Sequence, residues 1–148
     1  VINIGGSSIM TYGSKPDKSA WNVAVTDPRD DGDYLGTVEV EDESYISTSG
    51  DYEKYFVKDG VRYHHIIDPE TGYPAKSGLI SVTVVCDSGI VSDMLATACF
   101  VLGKEKGMEL AEKYDAAAVF ADSDKNVYMN KKAKNIFTLT KDGYTAVE

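Results

Sequence analysis

The sequence has few of the residues that bind zinc or carry redox chemistry. Only two of its 148 residues are cysteines, and only two are histidines. Cys86 and Cys99 are too far apart for a C-x-x-C pair and too few for a zinc site. Because Cys86 lies in a strand-like pattern and Cys99 in a helical one, we predict two buried, unpaired thiols.

Positive charge and long apolar runs are also scarce. The chain has 15 Lys and Arg against 24 Asp and Glu, which gives a formal net charge of -9. This balance disfavours nucleic acid and anionic lipid as partners. An anionic small molecule stays open, but backbone N–H groups or a divalent cation would have to offset the repulsion. No apolar run approaches the ~20 residues that a membrane-spanning helix needs.

Repeats, low-complexity tracts and linkers are absent too, so we predict a single domain over residues 1–148. In "WNVAVTDP", Trp21, Val23 and Val25 alternate with polar or small residues, which predicts a half-buried strand that stops at Asp-Pro. "TVEVED", "SYISTSG" and "RYHHII" are further strand-like runs. The β-branched run "LISVTVVCD" predicts a central strand.

Two helices are expected after that strand. "SDMLATACFVLG" has apolar residues near helical spacing, with Ser92 as the predicted N-cap and Gly103 as the stop. "KEKGMELAEKY" predicts a second, amphipathic helix. "AAAVFAD" and "VYMN" predict a hairpin, and "IFTLT" predicts a last strand. The predicted fold class is α+β, a largely antiparallel sheet with a helix pair packed on it.

Asp93 and Thr97 are the first candidates for chemistry. Four residues apart on a helix, they share one face, and with Ser92 as N-cap Asp93 would lie in the first turn. A carboxylate and a hydroxyl suit a hard cation such as Mg²⁺, which often completes its shell with substrate phosphate. The alternative is structural: Asp93 complements the helix dipole, and Thr97 bonds back to its own helix.

Two stretches of small residues could line a ligand. Gly5 and Gly6 follow a strand and would let backbone N–H groups approach a phosphate or a flat ring closely. Thr48–Asp51 places small polar groups and a glycine at a strand end, before a run of aromatics. The alternative for each stretch is an ordinary polar turn, which the sequence pattern alone favours.

His64 and His65 are consecutive, so in a strand they point to opposite faces and cannot chelate one metal together. At most one of them faces a pocket, where it could act as a general base or hold a phosphate. Asp68-Pro69 and Thr71-Gly72 predict a tight turn directly after them. The alternative is a pair of histidines with structural roles only.

Taken in series, "NIGGSS", "TSGDYEKYF", "HHIIDPETGYP" and "SDMLATACFVLG" resemble the FAD:protein FMN transferase family, the ApbE-like flavin transferases. The resemblance extends to about Phe137 and implies an ApbE-like fold. It implies that Asp93 and Thr97 are metal ligands and that His65 is the base acting on the acceptor threonine. It also implies a set of residues that line the FAD pocket: Gly5, Gly6, Thr48, Ser49, Gly50, Asp51 and His65.

The same resemblance implies a reaction and its partners. With Mg²⁺ as cofactor, FAD is cleaved at its pyrophosphate, FMN passes to a threonine of an acceptor protein, and AMP leaves. The acceptor class implied is an electron-transport flavoprotein subunit. Three alternatives stay open: an Mg²⁺-dependent FAD pyrophosphatase, a flavin-binding module without catalysis, and flavinylation of Thr97 itself. The last is disfavoured, because a helical threonine among apolar neighbours should be poorly exposed.

Family members are roughly twice as long and carry a D-x-G-x-x-A-K-G-type segment upstream, which has no counterpart here. We therefore expect the chain to be the C-terminal portion of such an enzyme. Its expected protein partners are the N-terminal half or a second copy. The resemblance also implies an extracytoplasmic location, with a membrane anchor supplied by an N-terminal lipoprotein signal.

Overall fold

The computed structural model describes residues 1–30 and 32–147. Its strands are β1 (Ile2–Ile4), β2 (Ser8–Thr11), β3 (Trp21–Thr26), β4 (Tyr34–Val40), β5 (Ser44–Gly50), β6 (Tyr55–Lys58), β7 (Val61–His64), β8 (Leu79–Cys86), β9 (Ala117–Asp122), β10 (Asn126–Met129), β11 (Phe137–Leu139) and β12 (Thr145–Val147). Its helices are α1 (Gly89–Leu102), α2 (Lys104–Lys113) and α3 (Ala133–Ile136). Within these described ranges, no helix is both long and apolar enough to cross a membrane.

Strand β8 lies at the centre of the largest sheet, as its β-branched sequence predicts. The strand order is β1-β2-β5-β8-β9-β10-β12, and neighbouring strands are antiparallel except for β10 and β12. A second sheet has the order β11-β4-β3, and β6 pairs with β7 alone. The prediction of an α+β fold with a largely antiparallel sheet and a helix pair is confirmed, as is the β9–β10 hairpin.

Both faces of β8 are covered by other elements. On one face, Val82 and Val84 pack in a cluster with Phe100 of α1 and residues of α2. On the other face, Ile80 and Val85 pack against the sheet that contains β3 and β4. Two covered faces explain why this strand is almost continuously apolar instead of alternating.

The predicted start of α1 is wrong by one turn. Ser88 is the N-cap, with its side chain accepting a hydrogen bond from the N–H of Val91, and the helix begins at Gly89. Ser92 is instead fully buried inside the helix. Ile90 and Val91 belong to the first turn of α1, where their apolar side chains continue the helical pattern. Asp93 therefore lies beyond the first turn, which removes the explanation that it complements the helix dipole.

The expected last strand is not the last. "IFTLT" supplies β11, but β12 follows it and pairs in parallel with β10. Strand β12 has only three residues and two of them are exposed, so it carries no hydrophobic pattern. Both thiols are unpaired, as predicted, but only Cys99 is fully buried; Cys86 is half-buried. Burial raises the pKa of Cys99 to about 11.

A buried pair of hydroxyls joins α1 to β5. The Oγ atoms of Ser47 and Ser92 are 2.8 Å apart, and both residues are nearly inaccessible to water. Ser92 also donates to the carbonyl of Gly89. Because the two hydroxyls hydrogen-bond to each other in the protein interior, this contact fixes the position of α1 along β5.

Replacing Ser92 by Ala should lower the free energy of unfolding by about 1–3 kcal/mol, because the Ser47 hydroxyl would stay buried without a partner. The double variant Ser47→Ala, Ser92→Ala should lose less free energy of unfolding than the sum of the two single variants, since it leaves neither hydroxyl buried without a partner. Urea denaturation of all four proteins measures this. Strictly additive losses would show that the two hydroxyls do not depend on each other.

Candidate functional site

The exposed end of the β5–α1 contact carries the first part of the site. Ser49 lies two residues after Ser47 on β5 and so faces α1 as well. Its Oγ lies 3.0 Å from the Oγ1 of Thr97. Asp93 lies one turn earlier on α1, and both Asp93 and Thr97 are exposed. Thr97 therefore contacts β5 instead of bonding back to its own helix, and the expectation that it is poorly exposed is wrong.

The double glycine lies next to these hydroxyls. Gly5 and Gly6 form the tight turn between β1 and β2, with φ values of 66° and 83° that favour glycine. The N–H of Gly6 donates to the Asn3 side chain, and the N–H of Thr48 donates to the carbonyl of Ser7. No atom lies within 4 Å of where a Cβ would stand on either glycine, so the turn is open to a ligand.

A largely apolar groove, which we name the β1–α1 groove, extends from this hairpin to the start of α1. Its volume is about 480 Å³, and Asp93 is among its lining residues. Its apolar lining includes Ile2, Ile4, Met10, Tyr45, Ile90 and Met94. The groove thus places an apolar surface directly beside the carboxylate that is predicted to bind metal.

Thr48 and Gly50 lie on the other face of β5. The Thr48 hydroxyl lies 2.9 Å from that of Thr83, and a side chain on Gly50 would collide with the ring of Tyr52. Burial raises the pKa of Tyr52 to about 12. The structure therefore separates Thr48 and Gly50 from the Ser49 hydroxyl, and their assignment to an FAD pocket stays a prediction.

Asp51 is held by arginines. Its two carboxylate oxygens lie 2.7 and 2.8 Å from the guanidinium of Arg29, and Arg62 approaches one of them at 3.5 Å. This hydrogen bonding raises the pKa of Arg29 above its usual value, although partial burial opposes the rise. Sequence reasoning missed both arginines, because they come from a loop and a hairpin far apart in the chain.

The loop after β3 is tied to the C-terminal end of the chain. Asp27 is buried and accepts a hydrogen bond from the Tyr144 hydroxyl at 2.8 Å. The Lys141 ammonium lies 2.8 Å from Asp30 and 2.6 Å from Asp33. These hydrogen bonds raise the pKa of Lys141. The C-terminal segment thereby holds the loop that presents an arginine to Asp51.

The two histidines point in different directions, as their adjacency predicts. His64 is buried; its Nε2 lies 3.2 Å from the carbonyl of Ala75, and its ring packs edge-on to Phe100. His65 is exposed, and its Nδ1 lies 3.2 Å from the carbonyl of Lys54. A carbonyl only accepts, so the proton of a neutral His65 lies on Nδ1, and Nε2 is left to accept a proton.

The structure brings only some of the predicted site residues together. Ser49, Asp93 and Thr97 lie together beside the open turn of Gly5 and Gly6. Among the residues that the structure describes, no three His, Cys, Asp or Glu side chains lie close enough to hold a metal ion by themselves. A carboxylate and a hydroxyl one helical turn apart still fit Mg²⁺, which binds few protein groups and keeps water or phosphate as its other ligands.

Comparison with known proteins relates most of this chain to one protein family. The sequence model of the ApbE family matches residues 1–120. The FAD:protein FMN transferase of Treponema pallidum is 39% identical over 132 residues, covering 82% of this chain and 36% of the relative. That of Klebsiella pneumoniae is 33% identical and covers 100% of this chain and 45% of the relative. The chain thus spans less than half the length of these curated relatives.

Solved structures give the same result for the fold. The ApbE protein of Thermotoga maritima superimposes with a TM-score of 0.80 at 37% identity, over 88% of this chain and 42% of that one. The flavinyl transferase ApbE of Pseudomonas stutzeri, in its apo form, gives a TM-score of 0.70 at 37% identity, over 93% and 43%.

Asp93 and Thr97 should be unimportant for folding. Because both are exposed, Asp93→Asn and Thr97→Val should each change the melting temperature by less than about 2 °C. Differential scanning calorimetry measures this against the unchanged chain. A large drop in either variant would assign that residue a structural role and weaken its candidacy as a ligand.

Proposed function

The chain belongs to the ApbE family, and we propose on that premise that the protein containing it transfers FMN from FAD to a threonine of an acceptor protein. The relatives that cover most of this chain are named FAD:protein FMN transferase. The single observation that carries the proposal is the oxygen cluster of Ser49, Asp93 and Thr97 beside the β1–α1 groove. It offers hard ligands next to an apolar surface, which suits a phosphorylated aromatic substrate.

The reaction exchanges one phosphorus–oxygen bond for another. The acceptor threonine Oγ forms a bond to the phosphorus of the FMN moiety, and the bond from that phosphorus to the bridging oxygen breaks. AMP leaves with the bridging oxygen and its electron pair. The threonine proton passes to Nε2 of His65, which the Lys54 carbonyl leaves free by holding the other ring nitrogen. A positioned base of this kind contributes about 10²–10⁴-fold to the rate.

Asp93 and Thr97 would hold Mg²⁺ in this proposal. The ion would supply positive charge to the phosphate oxygens, where negative charge develops as the pyrophosphate breaks. Ser49 keeps Thr97 oriented through their shared hydrogen bond. A bound cation would also let a chain of net charge -9 accept an anionic dinucleotide.

Replacing Asp93 by Asn should reduce FMN transfer by about 10²-fold or more, because electrostatic stabilisation of the developing charge is lost. Incubation of the natural polypeptide that contains residues 1–148 with FAD, Mg²⁺ and an acceptor, followed by intact mass measurement of the acceptor, tests this. Asp87→Asn is the matched control, since Asp87 is another exposed aspartate close to the start of α1.

The metal and the reaction are tested separately. Titration with Mg²⁺ followed by calorimetry should show weaker binding in Asp93→Asn than in Asp87→Asn. If no FMN adduct forms on any flavinylation-competent acceptor, and no AMP is released, the proposed transfer is wrong. AMP release that needs no acceptor would identify an FAD pyrophosphatase instead.

Replacing His65 by Gln should lower the rate of transfer by about 10²–10⁴-fold while leaving the Kd for FAD nearly unchanged. Glutamine keeps a polar side chain of similar reach but cannot take up the threonine proton. Single-turnover kinetics with saturating FAD measures the rate, and flavin fluorescence measures the Kd. An unchanged rate would remove His65 from the mechanism.

The acceptor class and the location belong to the same proposal and rest on family resemblance. We propose an electron-transport flavoprotein subunit as the acceptor and an extracytoplasmic location with a membrane anchor. Fractionation of the source cells, with an antibody against this chain, tests the location. Recovery of the protein in the cytosol would contradict it.

A further inference from the structure

The hairpin that leads into His65 has little backbone support of its own. Strands β6 and β7 form a two-stranded sheet that is separate from the other two sheets, and all of β6 is exposed. An isolated two-stranded hairpin is marginally stable in water. The position of His65 therefore depends on the buried Ile66 that follows it, whose carbonyl accepts a hydrogen bond from the Ala75 N–H, and on side chains that tie the hairpin to the rest of the domain.

Two side chains of β7 make such ties. His64 lies against Phe100 of α1, with ring centroids 5.5 Å apart, and contacts the carbonyl of Ala75. Arg62 reaches the Asp51 carboxylate at 3.5 Å while its guanidinium lies over the ring of Tyr55, 4.1 Å from the centroid. The His64 contacts hold the base of the hairpin against α1, and the Arg62–Asp51 contact fixes the direction in which the hairpin points.

Asp51 is a rigid partner for Arg62. Only 9% of the residue is exposed, and both carboxylate oxygens are engaged by Arg29. It directly follows β5, two residues after Ser49. The same carboxylate therefore connects the strand that carries the hydroxyl site to the hairpin that carries His65. Because arginines occupy both oxygens, the carboxylate is suited to holding protein groups in place.

We propose that Asp51 is a positioning residue, which holds the β6–β7 hairpin through Arg62 and thereby fixes the orientation of the His65 ring. The catalytic consequence rests on the proposed function, whereas the structural content does not. Arg29 serves to hold Asp51 in place. Because an isolated hairpin is marginally stable, loss of the Asp51–Arg62 contact should let its two strands separate. His65 would then leave the carbonyl of Lys54, which directly precedes the opposite strand, and no longer keep its proton on Nδ1.

Nitrogen-15 NMR of the ring nitrogens tests the inference, because the chain has only two histidines and the His65→Gln variant assigns their signals. In the unchanged chain, the His65 signal should be that of the Nδ1–H tautomer. In Asp51→Asn and in Arg62→Gln, it should become that of a tautomer mixture. The His65 amide, which donates to the Lys54 carbonyl, should exchange with deuterium at least about ten-fold faster.

Arg62→Gln guards against simple unfolding, since it leaves the Arg29–Asp51 pair intact. Asp59→Asn is the matched control: it makes the same chemical change at the tip of the same hairpin, away from the arginines. It should leave both the tautomer and the exchange rate unchanged. The inference is overturned if Arg62→Gln keeps the Nδ1–H tautomer and slow exchange, or if Asp59→Asn has the same effect as Arg62→Gln.

These measurements need neither FAD nor turnover, so their outcome is independent of whether the protein transfers FMN. If transfer does occur, Arg62→Gln should lower kcat by roughly 10–10²-fold, because a small displacement of a catalytic group costs that much. The Kd for FAD should stay within about two-fold of the unchanged protein. Equal losses in kcat and in FAD affinity would show that the Asp51–Arg62 contact serves substrate binding instead.

Discussion

The packing of α1 across β5 and β8 is the contact on which the rest of the molecule depends. Ala96, Cys99 and Phe100 of α1 are completely buried, and they meet Val82 and Val84 of β8. Since interiors are closely packed, the helix cannot slide along the sheet without opening cavities. The exposed side of the same helix carries Asp93 and Thr97, so the core determines where the oxygen atoms of these two side chains lie relative to Ser49.

The elements with strong patterns could be predicted from the sequence, and the start of α1 could not. The alternation in β3 reflects one covered face of the strand, and the almost continuously apolar sequence of β8 reflects two covered faces. The boundary at Gly89 depends instead on Ser88, whose capping contact resembles that of any serine before an apolar run. Strand β12 has no sequence pattern that predicts it, because it is a strand through its pairing with β10 and not through burial.

In the candidate site, too, some features could be predicted from the sequence and others could not. Spacing alone places Asp93 and Thr97 on one helical face, and adjacency alone sends His64 and His65 to opposite sides. The partners of these residues were beyond prediction, because each comes from a distant part of the chain. Ser49 meets Thr97 across 48 residues, and Asp51 meets Arg29 across 22. Strand alternation predicts that Ser47 and Ser49 lie on the same face of β5, but the nearby sequence does not indicate which helix that face contacts.

The C-terminal segment has a consequence for how the protein folds. Strand β11 completes the sheet of β3 and β4, and the Tyr144 hydroxyl reaches Asp27 across 117 residues. Contacts between residues so far apart in sequence are costly to close and slow folding. The loop that supports the Arg29–Asp51 pair gains its final ties only after residues as far as Tyr144 have been synthesised. A ribosome-bound intermediate would therefore form the β5–β8–α1 core before the contacts of Arg29 and Arg62 with Asp51 are fixed, and the β6–β7 hairpin would be among the last parts to settle.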